Sequence, residues 1–158
     1  MKLKKQKWMK GDLIKIPLKN GGFAFACLLK KPLVAFFDLR VASETIPPLD
    51  FIAAKQIAFK VWVMQDAITS GDWPLIGKVF IKPELESYPI FYKSDPISGK
   101  LSLYLGAGLE KPATFEECLG LECAAAWSAN HIIERLEDHF NKRPNKWVER
   151  MKPKADKK

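Results

Sequence analysis

Three apolar runs joined by tight turn signals constrain the fold of this chain more than any other feature. "DLIKIPL" (12–18), "FAFACLLK" (23–30) and "LVAFFDLR" (33–40) are separated only by "KNGG" and by Lys31–Pro32. An Asn-Gly pair between apolar runs marks a hairpin, because its residues accept the positive φ that matches strand twist. In the first run Leu13 falls on one face and Ile14 and Ile16 on the other. Strands this close in sequence predict an antiparallel meander or a half-open small barrel. "IAFKVWVM" (57–64) is rich in β-branched and aromatic residues and reads as a further strand. Pro47–Pro48 restrict the segment before it to a loop with a short helical turn.

The rest of the chain is mixed. "QDAITSG" (65–71) reads as one helical turn stopped by Gly71. "KVFI" (78–81) and "KLSLYL" (100–105) read as strands. Thr114 with Glu117 three residues on forms a capping box, each side chain bonding the other's free backbone donor. "LECAAAW" (121–127) suits strand or helix. Ser128 caps the clearest helix, 129–141, whose Ile132, Ile133, Leu136 and Phe140 share a face while Glu134, Glu137, Asp138 and Lys142 fall largely outside it. The expected fold is α+β: one domain over residues 11–149, with about six to eight short strands and a C-terminal amphipathic helix. At 158 residues the chain is long enough to bury a core of its own.

Charge is concentrated at the ends. Five lysines without an acid in residues 1–10, and five bases against Asp156 in 150–158, hold +9 of a net +8 and leave the body at −1. Specific nucleic-acid binding normally places positive charge on a folded face, so it is disfavoured here. Lysine-rich tails serve solubility or weak, salt-sensitive attraction to polyanions. Cys27, Cys118 and Cys123 cannot all pair with one another, and each lies in an apolar setting, as expected in a reducing compartment. No run approaches the roughly 20 apolar residues of a membrane span, and the basic start lacks the continuous apolar stretch of a signal peptide. The expected location is cytoplasmic.

Catalytic motifs are not evident in the sequence. His131 and His139 are eight apart on the predicted helix, about 12 Å of rise, which does not suit joint ligation of a metal. Cys118 stands near a helix start, but Glu116 and Glu117 oppose a thiolate there, so a structural cysteine is expected. "GAG" (106–108) lacks the context of a dinucleotide loop. No cofactor or metal is expected. What stands out is aromatic: Trp62, Trp73, Trp127 and Trp147, with Phe36, Phe37 and Phe59. Most are expected in the core, with one or two free to anchor a protein partner.

Read in order, "GDLIKIPL", "GFAFACLL", "FFDLR", "VWVMQDAITSGDWPLIGK", "FYKSDPISGKLSLY", "ATFEECLGLECAAAW" and "HIIERLEDHFNKRPNKWVE" resemble the immunity protein 26 family, from Lys10 to Arg150. That family is also described jointly with a phosphotriesterase of the HocA type. "SGDWPLIG" and "RPNKWVE" carry most of the likeness. The resemblance implies a cytoplasmic antidote of a bacterial polymorphic toxin system, which binds its cognate toxin domain and needs neither cofactor nor turnover; a monomer is favoured. The nearly neutral body departs from strongly acidic inhibitors that compete for a nuclease's substrate site. Partner contacts are expected at Asp38, Glu44, Asp50, Asp66, Asp72 and Trp73, from their composition and expected exposure. Trp62, Trp73, Pro74, Gly77, Trp127 and Trp147 form the structural signature, and Trp73 is read as structural before contact. A small phosphotriester hydrolase is the alternative; it would draw on Asp38, Asp66, Cys118 and His131, which no spacing unites.

Overall fold

The computed structural model describes residues 5–155. The basic residues Lys2, Lys4, Lys157 and Lys158 of the two tails lie outside that range.

The meander forms as its turns dictate. β1 (Asp12–Pro17), β2 (Phe23–Leu28), β3 (Leu33–Val41) and β4 (Ile57–Val63) pair antiparallel in succession. The β1–β2 hairpin sets Leu13 opposite Cys27 and Pro17 opposite Phe23. Its loop is closed by the Leu18 amide donating to the Gly22 carbonyl at 3.0 Å. Gly22 has φ +85, and a Cβ there would lie 2.8 Å from the Val41 carbonyl oxygen, so the turn demands glycine on both counts.

Two edge strands complete this sheet. β5 (Leu75–Lys78) pairs antiparallel with β1, and β10 (Ala126–Trp127) runs parallel to β4, giving the order β10-β4-β3-β2-β1-β5. A second sheet contains β6 (Phe91–Ser94), β7 (Leu101–Tyr104), β8 (Glu110–Pro112) and β9 (Glu122–Cys123) in the order β8-β7-β6-β9. The class is α+β as expected, and both sheets are open and mixed rather than closed into a barrel. The ambiguous segment 121–127 contributes two short strands, one to each sheet. The strand expected at 78–81 lies at Leu75–Lys78 instead, because pairing with β1 begins directly after the Trp73–Pro74 turn.

Helices cover both faces of the larger sheet. On one face Ile14, Ile16, Val34, Phe36 and Val61 pack against α2 (Gln65–Thr69), Trp73 and α5 (Ala129–Phe140), whose Ile132 and Leu136 are fully buried. On the other, Leu13, Phe25, Ala35 and Phe37 meet Ile52 of α1 (Leu49–Ala53), Leu85 of α3 (Pro83–Glu86) and Phe91 of the second sheet. A smaller cluster of Tyr92, Leu101, Leu103 and Cys118 lies under α4 (Phe115–Cys118). The Thr114–Glu117 capping box forms, and the Ser128 hydroxyl caps α5 by accepting from the His131 amide. α6 (Lys146–Arg150) returns across α5. Contacts of the body extend into the basic ends: Trp8 Nε1 donates to the Leu29 carbonyl at 3.0 Å, and Tyr92 donates its hydroxyl to the Met151 carbonyl. Among the described residues no helix is long and apolar enough to cross a membrane.

Candidate partner-binding surfaces

"SGDWPLIGK" is built as a bracket between α2 and β5. Trp73 is only 1% exposed and meets the Phe36 ring edge-on at 6.4 Å. Its carbonyl accepts from Gln6 Nε2 at 2.5 Å, the Pro74 carbonyl accepts from the Lys15 amide at 3.0 Å, and Gln6 Oε1 accepts from the Leu75 amide. Gly77 passes so close to α1 that a Cβ would stand 2.3 Å from Leu49 Cδ1. Trp73 is thus an interior side chain. Trp127 is also buried, whereas Trp62 and Trp147 are half-buried. Trp147 stacks on His131 at 3.9 Å and donates Nε1 to Glu134 at 2.8 Å.

Asp38, Glu44, Asp50, Asp66 and Asp72 are all exposed, but they do not share one face. Glu44 and Asp50 lie on the β3–α1 loop and α1, beside Ile46 and Phe51, which are 41% and 48% exposed. Phe80, 85% exposed, borders a neighbouring hollow of about 230 Å³ with Ala53, Ala54 and Leu85. Asp66 in the first turn of α2 and Asp72 just after that helix lie on the opposite side of the larger sheet, the side on which α2 buries Ala67 and Ile68. Asp38 Oδ1 lies 2.8 Å from His139 Nε2. The sequence reading offered no signal for that pairing, which joins β3 to the end of α5 across 101 residues.

The residues named for hydrolysis are dispersed. Cys118 is fully buried under the smaller sheet, where burial and then the Glu117 charge push its thiol pKa up. His131 is held against Trp147, and Asp66 stands on α2. Cys27 is pushed up to about 12, chiefly by burial, with the Asp12 charge adding to it. Among the described residues no group of three or more His, Cys, Asp or Glu side chains is placed to hold a metal ion.

A second surface escaped the sequence reading. Trp62 of β4, Tyr88 after α3 and Tyr104 of β7 converge on a groove of about 600 Å³, rimmed by Lys30, Lys31 and Pro32 of the β2–β3 turn and by Leu105 and Leu109. Trp62 Nε1 donates to the Tyr88 hydroxyl at 2.7 Å. The indole rests on Phe91 at 4.8 Å and meets Tyr104 edge-on at 5.4 Å. Burial pushes the Tyr88 hydroxyl pKa up, the Trp62 hydrogen bond opposes the shift, and Tyr104 adds to it. Leu109 is 62% exposed and Leu105 40%. The alternation of β4 separates Trp62 from Phe59 and Val61, but nothing local announces that Tyr88 and Tyr104 join it.

Against known families, residues 9–103 match the family model described as Immunity protein 26. The chain belongs to this family. The matched segment contains β1 to β6 and most of β7, with Trp62, Trp73 and Tyr88; the "RPNKWVE" stretch lies beyond it. No curated protein and no solved structure matches the chain.

Proposed function

We propose that this chain is an immunity protein that neutralises a cognate toxin domain of a bacterial polymorphic toxin system by direct contact, acting in the cytoplasm. The family match over residues 9–103 carries the reading. Its surface supports it: Ile46 and Phe51, next to Glu44 and Asp50 in the chain, and Phe80 on the hollow beside Ala53 and Ala54 are large apolar side chains left partly or largely in water. An apolar centre with a polar rim is the arrangement of transient protein interfaces. Because the body sums to −1, binding would rest on shape and apolar anchors more than on a long-range field. Asp66 and Asp72 would form a separate polar contact on the α2 side. Asp38, already beside His139, has a partner inside the chain.

The test is growth rescue. Cells expressing the toxin domain encoded beside this protein should survive when it is co-expressed. A double substitution Asp50→Lys with Phe51→Glu, both exposed, should weaken rescue while leaving the protein folded. Failure of the unaltered, folded protein to rescue would contradict the reading.

A further inference from the structure

The aromatic groove has a one-sided charge. Lys30 and Lys31 are exposed at its rim, no carboxylate lines it, and among the described residues neither lysine has an acidic partner within 4.0 Å. Lys78, Arg143 and Lys152 have acidic partners, while other surface bases such as Lys55 and Lys100 have none among the described residues. What sets Lys30 and Lys31 apart is their place together on an apolar hollow that no carboxylate lines. Since residues 11–149 sum to −1, this pair of bases beside an apolar hollow is a local feature rather than part of a basic face.

The walls suit an apolar side chain. Trp62 is fixed by its hydrogen bond to Tyr88 and by Phe91 behind it, so the hollow is formed before any partner arrives. Its volume of about 600 Å³ is in the range that accepts a large side chain or two. Open aromatic grooves that a partner desolvates on docking seat the side chains that dominate protein interfaces.

We infer that this groove docks an acidic segment of the partner protein, with a large apolar side chain seated against Trp62, Tyr88 and Tyr104 and neighbouring carboxylates on Lys30 and Lys31. The identity of that partner as the toxin rests on the function proposed above; the chemistry of the groove does not. The outer wall favours a protein over a nucleic-acid strand. Single strands are gripped by a run of cations with open aromatic faces, whereas this wall is made by Leu105 and Leu109 and the groove offers two cations.

The probe is a short peptide, acetyl-Glu-Asp-Trp-Leu-Glu-amide, titrated into the ¹⁵N-labelled full chain. It should shift the Trp62 indole N–H and the Ala107 and Leu109 amides. The same peptide with lysines in place of its acids should bind at least about tenfold more weakly, since like charges across a contact disfavour it. A double variant Lys30→Glu with Lys31→Glu, on exposed positions, should lose the acidic peptide while melting as the wild type does. No shift at Trp62, equal binding of the lysine peptide, or preference for a short oligothymidine would overturn the inference.

The cognate toxin supplies the second arm. The double variant should associate with it about tenfold more slowly at low salt. An unchanged association rate would remove the groove from the toxin interface. No complex with the wild-type chain would instead refute the proposed function, and the peptide titration would still decide the groove.

Discussion

Arg135 of α5 and Glu122 of β9 join the helix on the larger sheet to the edge of the smaller one. The guanidinium meets the carboxylate with two bonds, 2.9 and 2.6 Å, and its carbon lies 3.8 Å from the Phe59 ring centre and 4.9 Å from that of Trp127. Bidentate geometry and ring stacking together are what arginine, and not lysine, provides. Arg135 is 9% exposed, so removing it leaves a partly buried carboxylate unpaired. Arg135→Ala should cost about 3 kcal/mol in urea unfolding. A cost below about 1 kcal/mol would show that the pair does not hold the sheets together.

Trp73→Ala should be as damaging. It empties an interior site against Phe36 and loosens the bracket that Gln6, Lys15 and Leu75 form around it. Loss of a buried Trp side chain costs about 3–5 kcal/mol. A melting temperature equal to the wild type's would contradict the interior role.

The hairpin allows a paired comparison. Gly22→Ala meets both a positive φ and the Val41 carbonyl, whereas Gly21 has positive φ with nothing within 4 Å of its missing Cβ. Gly22→Ala should therefore destabilise by more than about 1 kcal/mol, and by more than Gly21→Ala does. Equal losses in thermal unfolding would show that backbone strain alone matters there.

The capping box gives a pH signature. Hydrogen bonds from Thr114, backbone first and then side chain, hold the Glu117 carboxyl below its ordinary value. A depressed carboxylate stabilises the fold above its unfolded pKa, and that contribution is lost as pH falls through the folded value. The stability gap between wild type and Glu117→Gln, present near neutrality, should narrow as pH falls below the usual glutamate range. A gap constant down to the acid transition would show that Glu117 plays no part in it.

What the sequence revealed was local. The Asn20–Gly21 turn signal, the period of β1 to β4 and the caps of α4 and α5 depend on residues close in the chain, and each is found where expected. What it concealed was long-range. β9 and β10 are two residues each and exist because β6 and β4 offer them edges, which no property of "LECAAAW" encodes. Glu137 falls outside the apolar stripe of α5, yet it is 8% exposed, because the Asn20 amide of the β1–β2 loop donates to it at 2.7 Å. The acidic contact candidates were read as exposed and are exposed; their division between two sides of the sheet follows from topology. The aromatic groove draws on β4, the segment after α3 and the β7–β8 loop, so its assembly is likewise a product of the fold.

The most direct measurement of the central claim is the mass of the complex formed when this protein and the purified toxin domain encoded beside it are mixed. Light scattering after size exclusion should show a stable complex with both chains in fixed ratio and the toxin inactive within it. Separate elution of two folded proteins, with the toxin still active, would contradict neutralisation by direct contact.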